Sequence, residues 1–181
     1  ANLDAALRAE LRREVRSLLR GRGTTALLVT HDRAEAFELA DRVAVMLDGR
    51  LAQVGTPDEL LGHPASLAVA RVIGDPQELP VPPGVDGTPA VALYWPEQLE
   101  LVAPPDGSSR PGAGPLDLGV EAEVDAVTVE GATVAITCRT ASGSSVLVRR
   151  LRSSSPGEAL PGPGSTAMLR ATSAPVLVTG V

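Results

Sequence analysis

The sequence contains no lysine, and all 16 of its basic residues of the Lys+Arg class are arginine. A phosphate-cradling P-loop uses the lysine of G-x-x-x-x-G-K-[ST], so this chain encodes no P-loop. There is one cysteine, Cys138, which excludes an internal disulfide and fits a reducing compartment. The two histidines, His31 and His63, are far apart, so no His/Cys metal cluster is expected. Only Phe37, Tyr94 and Trp95 are aromatic, so a core must be built mainly from Leu, Val and Ala. No apolar run approaches the length of a bilayer span. No secretory leader is visible and the first residue is Ala1, so the chain is expected to be a piece of a longer polypeptide. The net charge is −6 and unevenly placed. Residues 1–74 balance ten acids with ten arginines, whereas 75–181 carry twelve acids and six arginines. Neither half has the basic excess of a nucleic-acid binder. The 181 residues allow one or two domains.

What is present is organised around residues 24–55, TTALLVTHDRAEAFELADRVAVMLDGRLAQVG. Thr24 to Thr30 is a short β-branched and aliphatic run without charge, which predicts a strand buried on both faces of a parallel sheet. Polarity changes abruptly at Thr30-His31-Asp32. Arg33 to Ala40 has helical spacing, with Asp32 as its N-cap. Arg42 to Leu47 is a second apolar strand, Asp48-Gly49 a hairpin turn, and Leu51 to Val54 the returning strand. This order places His31 at the carboxyl end of a sheet strand, where ligands of open α/β sheets gather.

Before this stretch, Asp4 to Arg20 reads as an amphipathic helix with Leu7, Leu11, Val15 and Leu18 on one stripe. Arg8, Arg12, Arg13, Arg16 and Arg20 lie mostly on the other side and read as a solvated face. Gly21 and Gly23 end the helix. After the stretch, Thr56-Pro57-Asp58-Glu59 starts a short helix, and Ser66 to Ile73 forms another.

Composition then shifts. Pro80, Pro82, Pro83 and Pro89, with Gly84 and Gly87, predict a loop or linker, and Pro104 to Pro115 a second loop. Ala90 to Tyr94 and Leu99 to Val102 read as strands. From Gly119 onward the pattern is all-β, with Val120, Ala122, Val124 and Ala126 alternating against acids. Ala132–Arg139, Ser145–Leu151, Thr166–Ala171 and Pro175–Val178 complete a set of short strands that predicts a small barrel. Val134, Ile136 and Cys138 share one face, and Cys138 is read as a small buried apolar residue. Tyr94-Trp95 is read as a core pair. Arg149, Arg150 and Arg152 read as a solvated strand edge. His63 and the Ser153–Ser155 loop read as surface.

The stretch VTHDRAEAFELADRVAVMLDGRLAQVGTPDEL resembles the switch-histidine region of ABC-transporter ATPase subunits, most closely the importer group serving maltose, polyamines or ferric iron. Ala1-Asn2-Leu3-Asp4 resembles their D-loop. Trp95-Pro96-Glu97-Gln98-Leu99 resembles the element that opens their TOBE extension, with Trp95 where a basic residue is usual. The resemblance implies an α/β fold over residues 1–76, the C-terminal portion of an ABC nucleotide-binding domain of the P-loop NTPase class. It implies an all-β, OB-like, TOBE-like barrel over 77–181.

For His31 the resemblance implies contact with the γ-phosphate of ATP and help in setting the attacking water. The residue type suits that role, since an imidazole donates to phosphate. For Asn2, Leu3 and Asp4 it implies a place at a dimer interface, and Asp4 equally suits a helix cap. The Walker A, signature and Walker B motifs of the family are missing. ATP and Mg²⁺ are therefore expected in an intact subunit, and neither is expected on this chain alone, which is expected to be inactive. Implied partners are a second copy of the subunit and transmembrane permease subunits, at the cytoplasmic face of the membrane. The competing reading is a regulatory module whose β-domain senses a small solute or a regulator protein.

Overall fold

Among the described residues, six elements lie between residues 5 and 74 and nine between 77 and 179. The structure is a computed structural model that describes residues 5–79, 90–103, 117–152 and 160–179. The expected linker at 80–89, most of the loops at 104–116 and 153–159, and Asn2, Leu3 and Asp4 lie outside the described residues. The chain divides into two compact units, Ala1–Gly74 and Asp75–Val181. Strands dominate the described secondary structure, and no described helix is long and apolar enough to cross a membrane.

In the first unit, α1 runs Ala5–Arg22. It passes through Gly21 and stops at Gly23, which has φ +60°. There Gly23 N–H donates to Arg20 O (3.2 Å) and Thr24 N–H to Leu19 O (3.1 Å). These are the two bonds of a Schellman motif, which needs a left-handed residue at that point. Next come α2 (Arg33–Leu39), β1 (Val43–Leu47) and β2 (Arg50–Gly55). The two strands pair as a hairpin about Asp48 (φ +48°) and Gly49 (φ +73°), the two positive values that a tight hairpin turn demands.

Thr56 then opens α3 (Pro57–Gly62) with a capping box. Glu59 N–H donates to Thr56 Oγ1 (3.2 Å), and Thr56 N–H donates to Glu59 Oε2 (2.8 Å). A Cβ on Gly55 would stand 3.0 Å from that Glu59 oxygen, so the box and the glycine belong together. Ser66 caps α4 (Leu67–Ile73). Helices α3 and α4 bury Leu60, Val69, Ala70 and Ile73. Between them Gln53 clamps the His63-Pro64 break, donating to His63 O (2.8 Å) and accepting from Ala65 N–H (2.7 Å).

Two expectations about α1 fail. The apolar stripe of α1 is not a core face, since Leu7, Leu11 and Leu18 are each about half exposed. The arginine row is the side that finds partners. Arg12 donates to Glu38 (2.9 Å) and Arg20 to Asp41 (2.5 Å), with Arg16 4.0 Å from Asp41. The Arg20 hydrogen bond and charge hold the Asp41 carboxyl below the usual range. These ion pairs link α1 to α2 and the residue after it, while Leu7, Leu11, Val15 and Leu18 stay substantially exposed.

The second unit is antiparallel throughout. A three-stranded sheet has the order β10-β4-β3, with β3 (Gln77–Leu79), β4 (Ala90–Tyr94) and β10 (Val176–Thr179). A five-stranded sheet has the order β5-β9-β6-β7-β8. Its members are β5 (Leu99–Val102), β6 (Asp117–Glu130), β7 (Thr133–Thr140), β8 (Ser145–Leu151) and β9 (Thr166–Ala171). One apolar cluster joins the two sheets, with Tyr94 and Ala92 from the smaller and Leu99, Ile136, Val148 and Leu169 from the larger. Cys138 is buried in it, and burial, then the Asp125 carboxylate, pushes its thiol up to about 11. That is the state of an inert packing residue.

Strand β3 was not expected; its three residues precede the proline run and pair with β4. Strand β6 is longer than its alternation indicated. Ala122 and Val124 face inward as expected, but Ala126 is exposed and Val127 takes the inner side. The cause is a register shift between Val124 and Ala126, since one extra residue reverses every later side chain.

Tyr94 is fully buried, whereas Trp95 is only partly so. The Tyr94 hydroxyl meets no hydrogen-bond partner among the described residues, and burial raises its pKa. A buried unpaired hydroxyl costs more than the packing of its ring requires. Tyr94→Phe is therefore expected to stabilise the unit by about 1 kcal/mol, measured as a higher urea midpoint at unchanged slope. A lower midpoint would mean that the hydroxyl has a partner.

Candidate functional site

The turn around His31 is built from both sides. On the upstream side, residues 24–30 are not a sheet strand, contrary to the sequence reading. Leu27 is 94% and Val29 89% exposed. A parallel strand is stable only between neighbours that take its N–H and C=O groups. The described strands of this unit pair with each other and leave this run alone.

On the downstream side the geometry matches the expectation. Asp32 Oδ1 accepts from Ala34 N–H (2.9 Å) and Glu35 N–H (3.2 Å), so Asp32 is the N-cap of α2. His31 sits between these two segments, exposed. It thus stands at the expected place in the chain, at the mouth of a capped helix and not at a sheet edge.

Two further residues hold this turn, and sequence reasoning gave neither a role in it. Thr30 Oγ1 accepts from Asp32 N–H (3.0 Å) and donates to Glu35 Oε2 (2.8 Å). In an ordinary capping box the N3 glutamate reaches the N-cap N–H itself. Here the Thr30 hydroxyl stands between them. The signal was present as a D-x-x-E spacing, Asp32 to Glu35, with a hydroxyl two residues before the cap.

Three arginines of the second unit make ion pairs. Arg149 donates to Glu97 (3.0 Å) and lies 3.8 Å from Glu130, so it joins β8 to the 3₁₀ turn Pro96–Gln98 rather than standing as a bare edge. Arg170 donates to Glu100 (2.6 Å), and Arg139 makes a two-pronged bond to Asp125 at 3.0 Å. A shallow depression of about 590 Å³ is lined by Arg13, Arg16, Ser17, Arg20 and Gly21, and includes none of the expected site residues. Asn2, Leu3 and Asp4 are outside the described residues, so the expected interface loop has no geometry to report.

The TOBE domain family matches residues 95–178, which begin at the Trp95-Pro96 turn and end in β10. The sn-glycerol-3-phosphate import ATP-binding protein UgpC of Rhizobium meliloti (strain 1021) is 41% identical over 123 residues, 61% of this chain and 35% of that protein. UgpC 1 of Rhizobium johnstonii is 41% identical over 138 residues, 76% of this chain and 37% of its own length. The Vibrio cholerae protein of the same name is 53% identical over 76 residues, 20% of its length. The chain carries a TOBE domain and is related to the ATP-binding subunits of ABC importers.

The stretch matching these relatives spans about a third of the length of the two Rhizobium proteins. The TOBE domain accounts for the five-stranded sheet and for β4's partner β10. It also gives the Glu97–Arg149 pair a structural place, pinning the domain's opening turn to strand β8. The His31 turn lies upstream of the matched TOBE residues.

Proposed function

We propose that this chain is the C-terminal part of the ATP-hydrolysing subunit of an ABC importer. In this reading residues 1–76 are the end of its α/β nucleotide-binding domain, and 77–181 its TOBE-bearing β-domain. His31 is the residue that contacts the terminal phosphate and orients the attacking water. Asn2, Leu3 and Asp4 form the D-loop at the interface with a second copy. The intact subunit works with transmembrane permease subunits at the cytoplasmic face, and its cargo is first to be sought as sn-glycerol-3-phosphate, the solute in the relatives' names.

The observation that carries this reading is the exposed His31 between Thr30 and the helix-capping Asp32. It gains weight because the chain is 41% identical over 138 residues to an import ATP-binding protein. The residues present do not by themselves fit ATP and Mg²⁺. With no lysine there is no P-loop to hold the phosphates. Among the described residues no cluster of carboxylate, His or Cys groups is arranged for a metal ion. Hydrolysis is therefore a property of the longer subunit.

A hybrid tests this. The matching segment of the Rhizobium meliloti protein is replaced by that of this chain. The hybrid is expected to hydrolyse ATP at a rate comparable to the unaltered relative, while the 181-residue chain alone shows none. A hybrid that folds and binds ATP yet turns over none would refute the assignment, as would turnover by the chain alone.

A further inference from the structure

We infer that Thr30 and Glu35 are positioning residues for His31. The inference rests on the reading of His31 given above, and it names the device that holds the imidazole where that reading needs it.

The geometry points to a single relay across the turn. A threonine hydroxyl has one proton to give, and here it goes to Glu35 Oε2 at 2.8 Å. Its oxygen then accepts from Asp32 N–H at 3.0 Å. One hydroxyl thus ties the residue before His31 to the peptide after it and to the first turn of α2. Asp32 adds the second tie, because its carboxylate accepts from Ala34 and Glu35 N–H groups of the same turn. The backbone of His31 is fastened on both sides while its ring stays exposed.

An exposed side chain on an untied turn samples many directions, and ordering it during the reaction costs free energy. Fixing the backbone beforehand removes part of that cost. Upstream, Leu27 and Val29 are almost wholly exposed. The Thr30 relay joins that run to α2. Helix capping alone accounts for Asp32. It does not account for a hydroxyl interposed between the glutamate and the cap N–H, since the direct capping box satisfies that N–H without it.

Two measurements test this. On the 181-residue chain, Thr30→Val keeps the side-chain shape and removes both bonds. The Asp32 amide proton is expected to exchange about tenfold faster, with exchange in the TOBE sheet unchanged. Unchanged exchange at Asp32 would overturn the inference without bearing on ATP.

In the ATP-hydrolysing hybrid, Thr30→Val and Glu35→Leu are each expected to lower kcat about tenfold, with KM for ATP unchanged. Thr30→Ser and Glu35→Gln, which keep a hydroxyl and an acceptor oxygen, are expected to restore it. Adding Thr30→Val to His31→Ala is expected to cost nothing further, because a positioning residue acts through the group it positions. If His31→Ala stops turnover while Thr30→Val leaves kcat intact, the relay fails and the reading of His31 stands. If Thr30→Val costs as much without His31 as with it, the relay also fails. If His31→Ala leaves kcat intact, the reading of His31 itself is wrong.

Discussion

His31→Ala, placed in the hybrid import ATPase, is expected to lower ATP turnover by about 10²–10³-fold, the usual loss on removing one well-placed donor to developing charge. The loss should appear in kcat and leave KM for ATP nearly unchanged, because the contact strengthens as charge builds on the terminal phosphate. His31→Gln separates two roles. A carboxamide donates a hydrogen bond to phosphate oxygen but moves no proton. Recovery of most of the rate by glutamine would assign His31 to donation and orientation, and a loss equal to that of alanine would assign it proton transfer. Stability of the hybrid should not change, since the ring is exposed. Retention of full turnover in His31→Ala would remove the central residue of the proposed function.

The elements of this turn were legible in the sequence to different depths. Asp32 as a helix cap, the Asp48-Gly49 turn and the Thr56 cap are local chemistry, decided within four residues, and each took the geometry expected of it. The 24–30 run is different. Its composition gives it the capacity to be an inner strand, but a strand needs partners, and no described strand pairs with it. The α1 leucines follow the same logic, because a stripe declares what a helix can bury and not what will cover it. Thr30 and Glu35 were missed for another reason. The D-x-x-E spacing was visible, but a glutamate that bonds a side chain before the cap looks identical in sequence to one that stays in solvent. In the β-domain, the strands after Gly119 and the inner face of β7 were readable from the sequence, while β3 and the register shift after Val124 were not. Nothing in that stretch of sequence marks which residue is the extra one.

Leu169→Ala is expected to cost the TOBE-bearing unit about 2–5 kcal/mol, because a buried leucine loses both its transfer free energy and the packing around the space it leaves. Leu169 is fully buried on β9, which runs between β5 and β6. It stands opposite Leu101 on one side and Val120 on the other, so truncation loosens both strand pairs at once. Leu151 supplies the contrast. It ends the edge strand β8 and is 76% exposed, so Leu151→Ala should stay within about 0.5 kcal/mol of the parent. The chain has two compact units, and a global signal would mix their transitions. Trp95 is the one tryptophan and lies in the second unit, so its fluorescence during urea unfolding reports that unit alone. Equal midpoints for the two alanine variants would place Leu169 at the surface, and the joining of the two sheets through one apolar cluster would have to be abandoned.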